Sequence, residues 1–136
     1  MKKNLLNLLA LTLILFVAVS CKKDSGDSGP SFKAYVKVSD VTVQQGSLPA
    51  EYEAIKGKSA TFTDTQFTIG NVSGTYTYTP GQNNDPGTVT LSPDIYSGGD
   101  SSYKVTFTNN TMVWKKNIAD PSKEITNKVT ITFTTQ

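Results

Sequence analysis

From residue 31 onward, apolar and polar residues alternate with a period of two in short runs. Phe32, Ala34, Val36 and Val38 interleave with Lys33, Tyr35 and Lys37, the spacing of a strand buried on one face. Val41 and Val43 continue in the opposite parity after Ser39-Asp40, which predicts a bulge or bend between two short strands. Further strand-like runs follow at 61–63, 66–69, 75–79, 88–92, 103–108, 111–116 and 129–133, with threonine in nearly every polar slot. A solvated sheet face favours that residue. Residues 48–57, LPAEYEAIKG, are the only helix-like stretch, with Pro49 at a first helical position and Gly57 as a stop. At about two turns it is marginal alone, and a plain loop competes with it.

The turns between these runs fix their register. A two-residue turn at Asn109-Asn110, a site where Asn tolerates positive φ, sets Phe107 opposite Met112 and Val105 opposite Trp114. A four-residue loop at 70–73 sets Phe67 opposite Tyr76. Closing the next pair at Thr79 and Thr88 sets Tyr78 opposite Val89 and Tyr76 opposite Leu91. Directly opposed residues share a face, so three separate turns give one inward apolar face. About eight strands with short connections and no helical crossover predict an all-β antiparallel meander. An up-and-down barrel fits it best, with a small β-sandwich as the alternative.

Before residue 31 the pattern is different. Lys2 and Lys3 precede a run from Leu5 to Val19 that is apolar apart from Asn7 and Thr12. Ala18-Val19-Ser20 then places small residues before Cys21, the single cysteine. A charged start, a short apolar run and a small-residue cleavage site make a signal peptide. The run is shorter than the roughly 20 apolar residues of a membrane-spanning helix. Ala18-Val19-Ser20-Cys21 resembles the lipobox of bacterial lipoproteins. That resemblance implies a thioether-linked lipid on Cys21, which becomes the mature N terminus. The bland alternative is a soluble secreted protein with one stray cysteine. Residues 22–30, KKDSGDSGP, are polar and Gly/Ser-rich, the composition of a flexible tether. The opening Cys-Lys-Lys-Asp resembles the tether start of Bacteroidota lipoproteins. The organisation expected is therefore a signal peptide at 1–20, a lipidated cysteine with tether at 21–31, and one β-barrel domain at 32–136. The protein would sit lipid-anchored in a bacterial cell envelope, at the outer membrane, facing the periplasm or the surface.

Composition narrows the function. The mature side chains balance at 11 lysines and 11 acids, and arginine and histidine are absent. Balanced charge without arginine argues against nucleic acid as partner, because phosphate binding wants a basic stripe and base readout favours arginine, and N/S-ligated metals lack their ligands. With Cys21 acylated, intrachain disulfides are excluded too. Nucleophilic catalysis would be left with a Ser–Lys or carboxylate pair. Glu51, Glu53, Asp94 and Asp100 read as solvated, and Asn83-Asn84-Asp85 reads as turn chemistry rather than a calcium loop. The expectation is a protein that is not an enzyme and carries no cofactor or metal.

The run 58–114 contains Phe-Thr-Asp-Thr-Gln-Phe-Thr-Ile, Gly74-Thr-Tyr-Thr-Tyr, Thr-Val-Thr-Leu and Tyr-Lys-Val-Thr-Phe-Thr-Asn-Asn-Thr-Met-Val-Trp. It resembles the small lipocalin-like lipoproteins of Bacteroidota, although the lipocalin Gly-x-Trp near the first strand is absent and Trp114 sits late. The resemblance implies a barrel that binds a small apolar or amphipathic ligand. Tyr76, Tyr78, Tyr103 and Trp114 fall on the inward face with Phe67 and Phe107. They are the candidate ligand-binding residues, with Tyr103 or Trp114 nearer a barrel mouth. The competing reading makes the same aromatics a solid core and the domain a structural or interaction module docking an envelope partner.

Overall fold

The computed structural model describes residues 31–97, 101–120 and 125–136, without the side chains of Asp120 and Ile125. The signal peptide, Cys21, the tether and Asp100 lie outside the described residues. After a 3-10 turn at Phe32–Ala34 come β1 (Tyr35–Val43), α1 (Ala50–Ile55), β2 (Ala60–Phe62), β3 (Gln66–Ile69) and β4 (Val72–Thr79). β5 (Gly87–Ser92), β6 (Ser102–Phe107), β7 (Thr111–Asp120) and β8 (Ile125–Thr135) complete the chain. All eight strands form one antiparallel sheet in the order β1-β8-β7-β6-β5-β4-β3-β2. The sheet curls until its edges nearly meet. Lys37 bridges Ser59, and the Val38 amide donates to the Lys58 carbonyl at 2.9 Å. A meander in one nearly closed sheet is an up-and-down barrel, and the two-sheet sandwich is set aside.

Register at the predicted hairpins is largely as expected. Phe107 faces Met112, Val105 faces Trp114, Tyr78 faces Val89 and Tyr76 faces Leu91. The Asn109-Asn110 turn forms without positive φ; Asn83 and Asn84 in the β4–β5 loop are the asparagines that adopt it. The β3–β4 connection is tighter than expected. Ile69 pairs with Val72 across Gly70-Asn71, so Phe67 faces Gly74 rather than Tyr76. Gly70 takes φ 58°, which lets a two-residue turn replace a four-residue loop. A shift by two residues keeps the parity, so Phe67 and Tyr76 both remain buried.

The first strand departs most. Phe32 and Ala34 belong to a 3-10 turn, and β1 runs unbroken to Val43 with register shifts against β8 after Tyr35 and after Val38. Each shift advances the buried position by one residue, so Tyr35, Val38 and Val41 point inward at a spacing of three. Tyr35, expected in a polar slot, is buried, and Ala34 is exposed.

The stretch expected as helix or loop is helical over Ala50–Ile55, with Pro49 just outside it and its carbonyl accepting from Tyr52 and Glu53. Gly57 at φ 74° then turns the chain, so that its amide donates to the Val38 carbonyl at 3.0 Å. Among the described residues, no helix is long and apolar enough to cross a membrane.

Candidate functional site

The barrel interior is filled with rings. Trp114, 0% exposed, lies with its ring centroid 4.7 Å from Phe133, 5.5 Å from Tyr103 and 5.8 Å from Phe62. Eight strands leave an interior about wide enough for side chains alone, and these aromatics take that space. The 3-10 turn inserts Phe32 into one end, where its ring contacts Phe62, Tyr76, Tyr78, Phe107 and Trp114 at 5.0–6.3 Å. At the other end α1 lays Tyr52 and Ile55 across the opening, both buried, and the Tyr52 and Tyr96 rings lie 6.0 Å apart. The plug and the lid close the two ends where a calyx would open.

The four candidate ligand-binding residues therefore do not line one cavity. Tyr76 and Tyr78 flank Phe32 on the floor of an open groove of about 490 Å³ at the plugged end, rimmed by Lys33, Asp64 and Thr65. Lys33 pairs with Asp64 across that rim at 2.6 Å, and the Tyr76 hydroxyl donates to the Thr63 carbonyl at 2.6 Å. Trp114 is buried mid-barrel rather than near a mouth. Its Nε1 has no hydrogen-bond partner.

Tyr103 is 1% exposed and belongs to a buried polar network that pattern reading missed. Its hydroxyl donates to Asp94 Oδ1, and Lys116 Nζ pairs with Asp94 Oδ2. Because that phenol hydrogen goes to the carboxylate, the 3.0 Å contact between Tyr52 and Tyr103 hydroxyls has Tyr52 as donor. The Ile95 amide donates to the same Oδ1 at 2.8 Å. The Asp94 and Lys116 side chains are 8% and 2% exposed, and Lys116 Nζ lies 4.9 Å over the Tyr103 ring. Burial pushes both phenols well above the usual tyrosine range, which keeps them protonated as donors.

Asp94, expected as a solvated loop carboxylate, is thus the hub joining the β5–β6 connection to β6, β7 and α1. The signal available was Lys116 itself. It occupies an inward parity position of β7, two residues past Trp114, and an inward lysine requires a buried partner.

The network has an acid, an amine and two phenols, but it is largely buried and each group is already engaged. It is built to hold four elements together. The remaining candidates are on the surface. Glu51 and Glu53 are exposed on α1. Asn83, Asn84 and Asp85 form an exposed turn in which the Asp85 amide donates to the Gln82 carbonyl at 2.9 Å. Among the described residues there is no cluster of three or more acidic or other ligating side chains able to hold a metal ion. In comparisons with known proteins, the chain matches no family model, no curated protein and no solved structure.

Proposed function

We propose that this chain is a lipid-anchored lipoprotein of a bacterial cell envelope whose lipocalin-like barrel acts as a non-catalytic interaction module. The observation that carries this reading is the filled interior. Trp114, Phe62, Phe133 and Tyr103 occupy the space a cargo would need, and Phe32 and α1 close the ends. The anchor follows from the sequence alone, from the Lys2-Lys3 start, the apolar run and Ala18-Val19-Ser20-Cys21. Cys21 would carry the lipid at the outer membrane, and the tether would present the domain on the periplasmic or surface side. The domain would need no cofactor or metal.

A second reading has one observation in its favour. The groove floored by Phe32, Tyr76 and Tyr78 has the volume of a small-molecule site, and an amphipathic ligand could lie in it with its polar end toward Lys33 and Asp64. Native mass spectrometry of the protein purified from its own envelope separates the two. The interaction-module reading expects the bare protein mass. A small molecule that co-purifies and leaves on denaturation overturns it in favour of a carrier. The anchor has its own check, the mass of the mature N-terminal peptide, and a free Cys21 thiol there would refute lipidation.

A further inference from the structure

We propose that the outer wall formed by β6, β7 and β8 is a membrane-contact face, on which Lys104, Lys115 and Lys128 dock against anionic phospholipid headgroups. Lys104 and Lys115 sit directly opposite each other in the β6–β7 ladder. In the β7–β8 ladder Lys115 faces Thr130 and Asn117 faces Lys128, which puts Lys128 diagonal to Lys115 on the same face. All three are exposed. Like charges directly opposed across a ladder destabilise a sheet, so this row works against the fold that carries it.

Among the described residues, no acidic side chain relieves that repulsion. The ion pairs among the described residues involve Lys33, Lys56 and Lys116, and none of the three wall lysines has an acidic partner. Mature lysines and acids balance overall, so the row is a segregation of charge and not a general surplus. Two grooves share Lys115 and Lys128, one of about 470 Å³ and one of about 530 Å³, and no acidic side chain lines either. The smaller groove also reaches Lys116, whose charge is taken up by Asp94, and the other polar groups, among them Thr88, Asn117, Thr130 and Gln44, are uncharged hydrogen-bonding groups. Lysine ammonium groups over threonine and amide donors suit phosphate oxygens, as point charges without the fixed geometry of arginine.

Tethering turns a weak patch into an effective one, and here the inference rests on the lipid-anchored reading. A short flexible linker gives an effective concentration in the millimolar range. Lys128 lies seven residues before Thr135, which pairs with Tyr35 at the end where the tether joins, a distance of roughly 24 Å along the strand. A ten-residue tether reaches up to roughly 33 Å. The wall can therefore lie flat on the bilayer that holds Cys21.

The test uses the mature chain from residue 21 carrying Cys21→Ser, made without lipid, so that its outcome is independent of lipidation. Co-sedimentation is measured with phosphatidylcholine vesicles, with and without phosphatidylglycerol. Binding is expected only to the anionic vesicles, falling as salt rises. Each Lys→Gln change at 104, 115 or 128 should lower partitioning about fivefold, and the triple change about a hundredfold. Lys56→Gln, at the end of α1 and paired with Asp40, should leave it within twofold. Buried-type Trp114 fluorescence in each variant shows that the barrel is intact. Failure of the parent chain to bind anionic vesicles overturns the proposal, as does a folded triple variant that binds like the parent. Binding of soluble polyphosphate without vesicle binding overturns it in favour of a soluble polyanion.

Discussion

Removing the Asp94 carboxylate tests whether the buried network holds the α1 end of the barrel together. Asp94→Asn keeps an oxygen for the Tyr103 hydroxyl and the Ile95 amide, but it withdraws the negative charge from Lys116. The ammonium is then left with a side chain 2% exposed and no counter-ion. Breaking a buried pair in this way costs about 3–5 kcal/mol. Coulomb attraction at a separation near 4 Å and an effective dielectric of about 20 gives about 4 kcal/mol, the same size. At roughly 4 °C per kcal/mol for a domain of this length, the melting temperature should fall by roughly 12–20 °C. Adding Lys116→Met removes the stranded charge and should restore most of the loss, since apolar replacement of a buried pair is often neutral or stabilising. Urea titrations of parent, both single variants and the double variant measure the coupling directly. A single-variant loss below about 1 kcal/mol, the ordinary value of an exposed pair, would refute the claim that the pair sits in a low-dielectric interior.

Three other outcomes are expected. Phe32→Ala should cost about 3–5 kcal/mol, the usual penalty for deleting a buried phenylalanine, and should admit an apolar fluorescent dye to the opened end; unchanged stability and no dye uptake would mean that Phe32 does not plug the barrel. Tyr52 and Tyr103 have folded-state pKa values raised by burial. Their contribution is therefore fully present below the unfolded value of about 10 and is lost as pH rises above it, at up to about 1.4 kcal/mol per pH unit for each phenol. Stability followed from pH 9 to 11 should fall, with both phenols titrating only as the protein unfolds, and early phenolate absorbance from them would contradict their burial. Finally, a Cβ at Gly74 would strike the Ser92 carbonyl oxygen and lie 2.7 Å from Pro93 Cδ, so Gly74→Ala should cost about 1–3 kcal/mol by overpacking, read as a lower urea midpoint.

Much of the fold was legible because β periodicity is local. Phe107 and Met112, or Tyr78 and Val89, find each other through a turn of known length, so their parity and pairing could be read from a few residues. The first strand resisted for the opposite reason. Its bulges are set by pairing with β8, about ninety residues away, and nothing in its own alternation shows that Tyr35 must point inward. Asp94 resisted in the same way. Its side-chain partners come from β6 and β7, with α1 joined through the Tyr103 hydroxyl, and only the inward parity of Lys116 hinted that a buried acid was needed.

The candidate site shows where pattern reading stops in principle. A calyx and a solid barrel put the same residues on the same inward face, because alternation reports which side of the sheet a residue occupies and not how far it reaches. Two features outside the alternating strands separate them. Phe32 precedes the first strand and turns its ring into the barrel, against five others. Tyr52 and Ile55 stand three apart on a helix of six residues, a spacing that puts both on one face and closes the far end. A barrel stoppered at both ends by its own chain retains its outside for recognition. That outside combines a threonine-rich wall, an aromatic groove beside Ser31 and a row of lysines with no acidic partner among the described residues. On such a molecule, changes that enlarge the interior should reduce stability before they alter binding, and changes on the wall should alter binding at constant stability.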